Sequence, residues 1–282
     1  MKKLTTPGLI NRISNRNNTN VETTRLRLTE NIELKLYYPK NKEYDVKKFI
    51  NSKINDLYEV ITDIPISNNS TVTIHINETG NVPIYNTKPY GGKSSRTASY
   101  LSTEEHDILI SLDDVSGLVH EFGHVFDYDN LEKFKTSQNF KTMRRIIHNT
   151  MSEVDKNLKE LEFNNITTDE VQLKYERSDN EIFARTLNQQ YCRTHEPNIF
   201  ADQLKPLMID VVLDYLYNTD SEYKNAVDEF INEIPKINEW SNMKRVDILN
   251  YTYVDEDDIE VFIDTLNQIT NENNQLNENT FR

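Results

Sequence analysis

The run Leu118-Val119-His120-Glu121-Phe122-Gly123-His124-Val125-Phe126-Asp127-Tyr128 limits what this chain can fold into more than any other stretch. Its apolar residues occupy every side of a helical wheel, so it predicts a helix buried nearly all round. Yet it carries two histidines and a carboxylate, groups that are costly to bury unless something satisfies them. Histidines at i and i+4 lie one turn apart on a single face. Their ring nitrogens can converge on one divalent metal at about 2.0–2.1 Å. Glu121 is roughly 100° round from His120. It can face a metal-held water without ligating the metal, and can take and return a proton.

The rest of the chain is organised around that helix. Alternating apolar residues over Thr24–Tyr38, broken at Glu30-Asn31, predict a hairpin. Helical spacing runs from Tyr44 to Ile61, with Pro65 as its stop. Val72, Ile74 and Ile76 alternate as in a strand. That pattern points His75 outward. Asn77–Gly92 is dense in Gly and Pro and reads as a loop. Ser95–Tyr100 reads as a short edge strand and Asp107–Leu112 as an inner one, followed by Asp113-Asp114 as a helix cap. Beyond the metal helix the patterns are helical, near Asp129–Phe163, Asp169–Tyr191, Pro197–Tyr217, Ser221–Ile231 and Asp255–Ile269.

Strands and a helix first, helices afterwards, imply an α+β fold. An N-terminal mixed sheet with its helices would pack against a C-terminal helical lobe, with an active-site cleft between them. The expected division is 1–40 as arm and hairpin, 41–128 as the α+β lobe, 129–270 as the helical lobe and 271–282 as a frayed tail.

Composition narrows the function. Lys and Arg number 32 against 46 Asp and Glu, leaving a net charge of −14. That disfavours a phosphate-binding surface, so no nucleic acid is expected as partner. It favours a basic peptide or protein substrate. No apolar run approaches the roughly 20 residues needed to span a bilayer, and no apolar segment follows Lys2-Lys3 as in a secretory signal. No membrane partner and a cytoplasmic location in the producing cell are the expectation. Cys192 is the sole cysteine and sits in a helical pattern, so it reads as a half-buried apolar residue.

Two histidines do not complete a catalytic zinc site, which usually has three protein ligands. No Gly-x-x-His continues the motif after His124. Asp127 shares the ligand face and reads either as a carboxylate that orients an imidazole or as a solvated helix-end acid. The best source of a third ligand is Tyr175–Leu187, where Ser178 or Asp179 caps a helix with Glu181 in its first turn. An acid there is also what the helix dipole alone favours. Glu176 and Asp127 are the other candidates. His148 and His195 read as surface residues, and His106 takes no assignment.

His120–Tyr128 together with Tyr175–Leu187 resembles the zinc metalloprotease domain of anthrax lethal factor and its relatives, in the gluzincin branch of the zincins. The shared core is His-Glu-Phe-Gly-His followed by an apolar pair and Asp, with a later Glu-x-Phe-Ala helix. The resemblance implies a zincin-like fold and one Zn2+ per chain, held by His120, His124 and Glu181. It implies Glu121 as general base and Tyr175 as donor to the transition-state oxyanion, with Tyr191 a more distant stand-in. Two positions depart from the family pattern. Tyr175 stands one residue closer to Glu181, and Arg185 replaces an acid common four residues after the third ligand.

The first expectation is therefore a zinc-dependent metalloendopeptidase. Its substrate would pair with the edge strand near Ser95–Tyr100. The alternative is a phage virion-associated or accessory structural protein that retains a zincin fold with little or no proteolysis. A toxin-type effector delivered into another cell overlaps the first reading. Such an effector would need a delivery partner, as virion packaging would need an assembly partner.

Overall fold

The computed structural model describes residues 21–64, 66, 70–77, 98–101, 106–112, 115–130, 133–160, 177–196, 198–201 and 208–237. Tyr175, Glu176, the Asp113-Asp114 pair, residues 78–92 of the expected loop, residues 95–97 of the expected edge strand and the 255–269 segment lie outside them. The fold is mixed α+β. Its elements are β1 (Val21–Arg27), β2 (Ile32–Pro39), α1 (Glu43–Asp63), β3 (Val72–Asn77), β4 (Ala98–Leu101), β5 (His106–Ser111), α2 (Leu118–Asp129), α3 (Gln138–Glu160), α4 (Asp179–Thr194), α5 (Met208–Thr219) and α6 (Ser221–Asn232).

The chain divides into two compact units. One comprises 1–131, 183–202 and 234–246, the other 132–182, 203–233 and 247–282. The division passes through the first turn of α4, between Ile182 and Phe183.

The first unit holds a five-stranded sheet in the order β1-β2-β3-β5-β4. β1 and β4 run antiparallel to their neighbours, while β2, β3 and β5 are parallel. The expected hairpin forms, with Leu26 opposite Leu34. Parallel register aligns Leu34, Ile74 and Ile108 in one row and Leu36, Ile76 and Ile110 in the next. All six are buried, and they form the apolar face of the sheet. The other side of these strands carries a mixture of apolar and polar residues, and Tyr37, Thr73, His75, Asp107 and Leu109 on it are buried too. Such two-sided burial is what a parallel sheet ordinarily requires.

His75 is therefore not the outward residue its alternation suggested: it is 2% exposed. Its Nε2 lies 2.7 Å from Asp107 Oδ1 and its Nδ1 2.8 Å from the Tyr37 hydroxyl. Burial pushes the Tyr37 phenol far above its usual range, and because the Asp107 carboxylate can only accept, a neutral His75 ring presents Nε2–H to it and leaves Nδ1 to accept from the Tyr37 hydroxyl. The imidazole proton then sits on Nε2 and is donated to Asp107, and the three strands share one ordered chain of hydrogen bonds.

α1 contains the whole of the expected Tyr44–Ile61 helix and ends at Asp63, before Pro65. It buries Val46, Ile50, Leu57, Val60 and Ile61, a 3–4–7 stripe. α2 packs beside β4 and β5.

The second unit is a cluster of α3, α5 and α6, each touching the other two. Phe230 of α6 is its hub, tilted against Phe140 at 5.4 Å and edge-on to Phe134 at 6.4 Å. The Asp220 carboxylate caps α6 by accepting from the Tyr223 N–H at 2.9 Å.

Candidate metal centre

α2 begins without a side-chain cap, at Gly117. One of its orphan first-turn donors, the Val119 N–H, is taken by the Phe200 carbonyl at 3.1 Å. That carbonyl belongs to the turn after α4. Within the turn, the Asn198 side chain accepts from the Phe200 N–H and donates to the Asp56 carbonyl of α1. At the other end of α2, Asp129 takes His106 Nε2 at 3.0 Å on Oδ1 and the Ser70 hydroxyl at 2.6 Å on Oδ2. The helix is thus fixed at both ends by groups outside it. His106, unassigned from sequence, is one of those groups.

His120 and His124 occupy consecutive turns. Their Nε2 atoms are 3.1 Å apart and their rings stand at 89°. Two ligands on one tetrahedral ion at 2.0–2.1 Å would lie about 3.3 Å from each other. Glu181 is only 1% exposed, in the first turn of α4. One ligand atom from each of His120, His124 and Glu181 falls within 4.8 Å of the others. Among the described residues this is the one group of three such side chains so placed. Two imidazoles and a carboxylate form a hard–borderline donor set that suits zinc. It satisfies the test that sequence could only pose: a buried carboxylate and two imidazole lone pairs meeting at a point gain from a cation there. The residues present can hold a metal ion.

The convergence depends on how closely α2 and α4 cross. A methyl group built on Gly123 would sit 2.8 Å from Ala184 Cα and 3.0 Å from its Cβ. Phe126 stacks on Phe183 at 5.8 Å and 15°. Gly123 is thus needed for space. Its neighbours in sequence, Phe122 and His124, gave no sign that a second helix lies against it.

Glu121 is 6% exposed and Asp127 4%. The solvated helix-end reading of Asp127 is overturned by that burial. Tyr175 and Glu176 lie outside the described residues. Tyr191 does not serve as a stand-in for Tyr175. It follows Glu181 by ten residues, about 15 Å along a helix. Its ring lies flat on His195, with centroids 3.9 Å apart. Burial raises its phenol far above the usual range. His195 is likewise not the surface residue expected, being 6% exposed with Nε2 3.2 Å from Asp63 Oδ2. His148 is half-buried on α3, with Nε2 2.9 Å from the Arg177 carbonyl.

Among the described residues no helix is long and apolar enough to cross a membrane. Comparison with protein-family models, curated proteins and solved structures finds no match to this chain.

Proposed function

We propose that the chain is a zinc-dependent metalloendopeptidase of the gluzincin type. It would have a zincin-like fold and hold one Zn2+ on His120, His124 and Glu181. The observation that carries this reading is the approach of Glu181 to the paired imidazoles, with Glu121 buried on the same helix. Held by His120, His124 and Glu181, a zinc ion would supply Lewis acidity toward a scissile carbonyl and would lower the pKa of a water. Glu121 accepts the proton of that water and delivers it to the leaving amine. Removal of its carboxylate from bulk solvent strengthens its interactions with both partners. Tyr175 is the proposed donor to the oxyanion.

The proposed substrate site is the free edge of the sheet. β4 is a terminal strand, pairs on one side with β5 and packs beside α2. An extended peptide adding to its outer edge gains main-chain hydrogen bonds beside the metal helix. The net charge of −14 favours basic segments.

The test pairs metal analysis with hydrolysis. Glu121→Gln is expected to keep stoichiometric zinc and lose about 10²–10⁴-fold in peptide cleavage. Full activity of that variant on a peptide library overturns the mechanism. Glu181→Gln is expected to lose most of its bound metal; unchanged metal content moves the third ligand to Glu176 or Asp127. Stoichiometric zinc in a wild-type chain that cleaves no tested peptide favours the accessory structural role instead.

A further inference from the structure

Three carboxylates are buried on the two helices that cross at Gly123: Glu121 and Asp127 on α2, and Glu181 on α4. The proposed reaction uses Glu181 as ligand and Glu121 as base. Asp127 has no part in it. The same crossing buries Arg185, 7% exposed. A guanidinium stays charged in any folded protein. When buried it needs an anionic acceptor, or its desolvation is uncompensated.

The register of the two helices brings these charges to one place. Gly123 lies against Ala184, and Phe126 stacks on Phe183. Asp127 is one turn beyond Gly123 on the same stripe of α2. Arg185 directly follows Ala184 and is one turn beyond Glu181. Helical side chains lean toward the preceding turn. On that rule Asp127 would lean over Gly123 and His124, and Arg185 over the turn that carries Glu181. The buried imidazoles of this unit outside the metal group are matched elsewhere: His75 with Asp107, His106 with Asp129 and His195 with Asp63. Arg193, eight residues beyond Arg185, is about 12 Å further along α4 and donates to Gln189 at 3.2 Å.

His124 presents Nε2 to the metal group, since that atom is the one 3.1 Å from His120 Nε2. Its other nitrogen, Nδ1, is the one a carboxylate three residues on can receive.

We propose that Arg185 and Asp127 form a cross-helix ion pair that fixes Asp127 as the acceptor for the far side of the His124 ring. Both are then positioning residues for the metal group. The pair also ties the ligand helix α2 to the ligand helix α4, so one contact orients a histidine and holds the spacing to Glu181. This inference rests on the metallopeptidase reading and adds to it the residues that set the geometry of its ligands.

The experiment is a double-mutant cycle on the full chain with Asp127→Asn, Arg185→Gln and the two combined, plus Arg185→Lys. Zinc affinity is read by competition with a chelator, and ligand geometry by the visible absorption of the cobalt(II)-substituted protein. Each single variant is expected to weaken zinc binding about 10–100-fold. The double variant is expected to be no weaker than the poorer single, and Arg185→Lys to recover part of the loss. The cobalt bands should move in the same direction in both singles. A role in packing alone would lower thermal stability without moving those bands. Wild-type zinc affinity in either single, or losses that multiply in the double, overturns the pair. Should Arg185→Gln not fold, Arg185→Lys closes the same cycle with Asp127→Asn, read by the same criterion. A wild-type chain that takes up no zinc overturns the metallopeptidase reading and the positioning role together. Wild-type zinc uptake with unaffected variants overturns the positioning role alone.

Discussion

Replacing Gly123 with alanine adds one methyl group where α2 and α4 approach most closely, and the structure sets the size of the effect. The new Cβ would lie 2.8 Å from Ala184 Cα, 3.0 Å from Ala184 Cβ and 3.3 Å from Ala184 O. Ordinary contact begins near 3.4 Å, so the helices must part by about 0.6 Å. The atoms in the way belong to backbone and to a side chain with no freedom to rotate aside. Inserting a methyl group into a packed interior costs about 1–3 kcal/mol. Against that, alanine gains about 1 kcal/mol over glycine in a helix interior. The net loss of stability without metal is therefore small, about 0–2 kcal/mol. Metal binding is the more sensitive readout. Ligand distances in a metal site are held within about 0.2 Å, and a 0.6 Å parting of α2 from α4 moves Glu181 away from both histidines. Zinc affinity is expected to fall at least tenfold, which corresponds to about 1.4 kcal/mol. Chelator competition measures this, with thermal melts of the metal-free protein as the control. Adding Ala184→Gly removes the 3.0 Å contact but leaves the 2.8 Å one, so it should restore only part of the affinity. A Gly123→Ala protein with unaltered zinc affinity and unaltered melting temperature would falsify the claim that this glycine sets the ligand spacing.

Metal removal should lower the melting temperature of the wild-type chain. At free zinc 100 times the dissociation constant, binding stabilises by about 2.7 kcal/mol, and Glu181→Gln should erase most of the difference between loaded and stripped samples. A stripped protein that melts with the loaded one argues against metal at this group. In the sheet, Asp107→Asn replaces the charged acceptor of the His75 Nε2–H with a neutral amide oxygen; a loss of about 1–3 kcal/mol is expected in denaturant titration. Tyr37→Phe removes one buried hydrogen bond from the same chain and should cost a similar amount, about 1–3 kcal/mol. Equal stability of wild type and Asp107→Asn would show that the hydrogen-bond chain is not what holds the three strands in register.

Periodicity made the hairpin, α1 and the metal helix legible, because each is decided by residues within a few positions of one another. The break at Glu30-Asn31 located the turn, but the connection is three residues wide, Thr29–Asn31, and that width sets Leu26 opposite Leu34. The pairing of Tyr37, His75 and Asp107 was hidden for the opposite reason. His75 is 38 residues from Tyr37 and 32 from Asp107, and the three meet only when β2, β3 and β5 lie parallel in one register. Alternation correctly placed His75 opposite Ile74 and Ile76. It misjudged that side as solvent because it assumed one wet face, whereas both faces of β3 and β5 are buried. His195 was misread similarly: a histidine just past a helix end looks exposed until Asp63 and Tyr191 close over it.

The candidate site divides along the same line. The i, i+4 histidines are a local fact, and their Nε2 atoms meet as the spacing requires. Sequence could place Glu181 in the first turn of a helix, but a first-turn acid is equally well explained by the dipole. What separates the two explanations is burial. A dipole-favoured acid faces water, whereas Glu181 is 1% exposed with two imidazoles beside it. That burial goes with the tight crossing of α2 and α4, where a side chain at position 123 would run into the backbone of Ala184. Gly123 therefore has the same standing in the site as the ligands it separates. The histidines define a point, and the missing side chain between them lets a carboxylate from 57 residues further along the chain reach it.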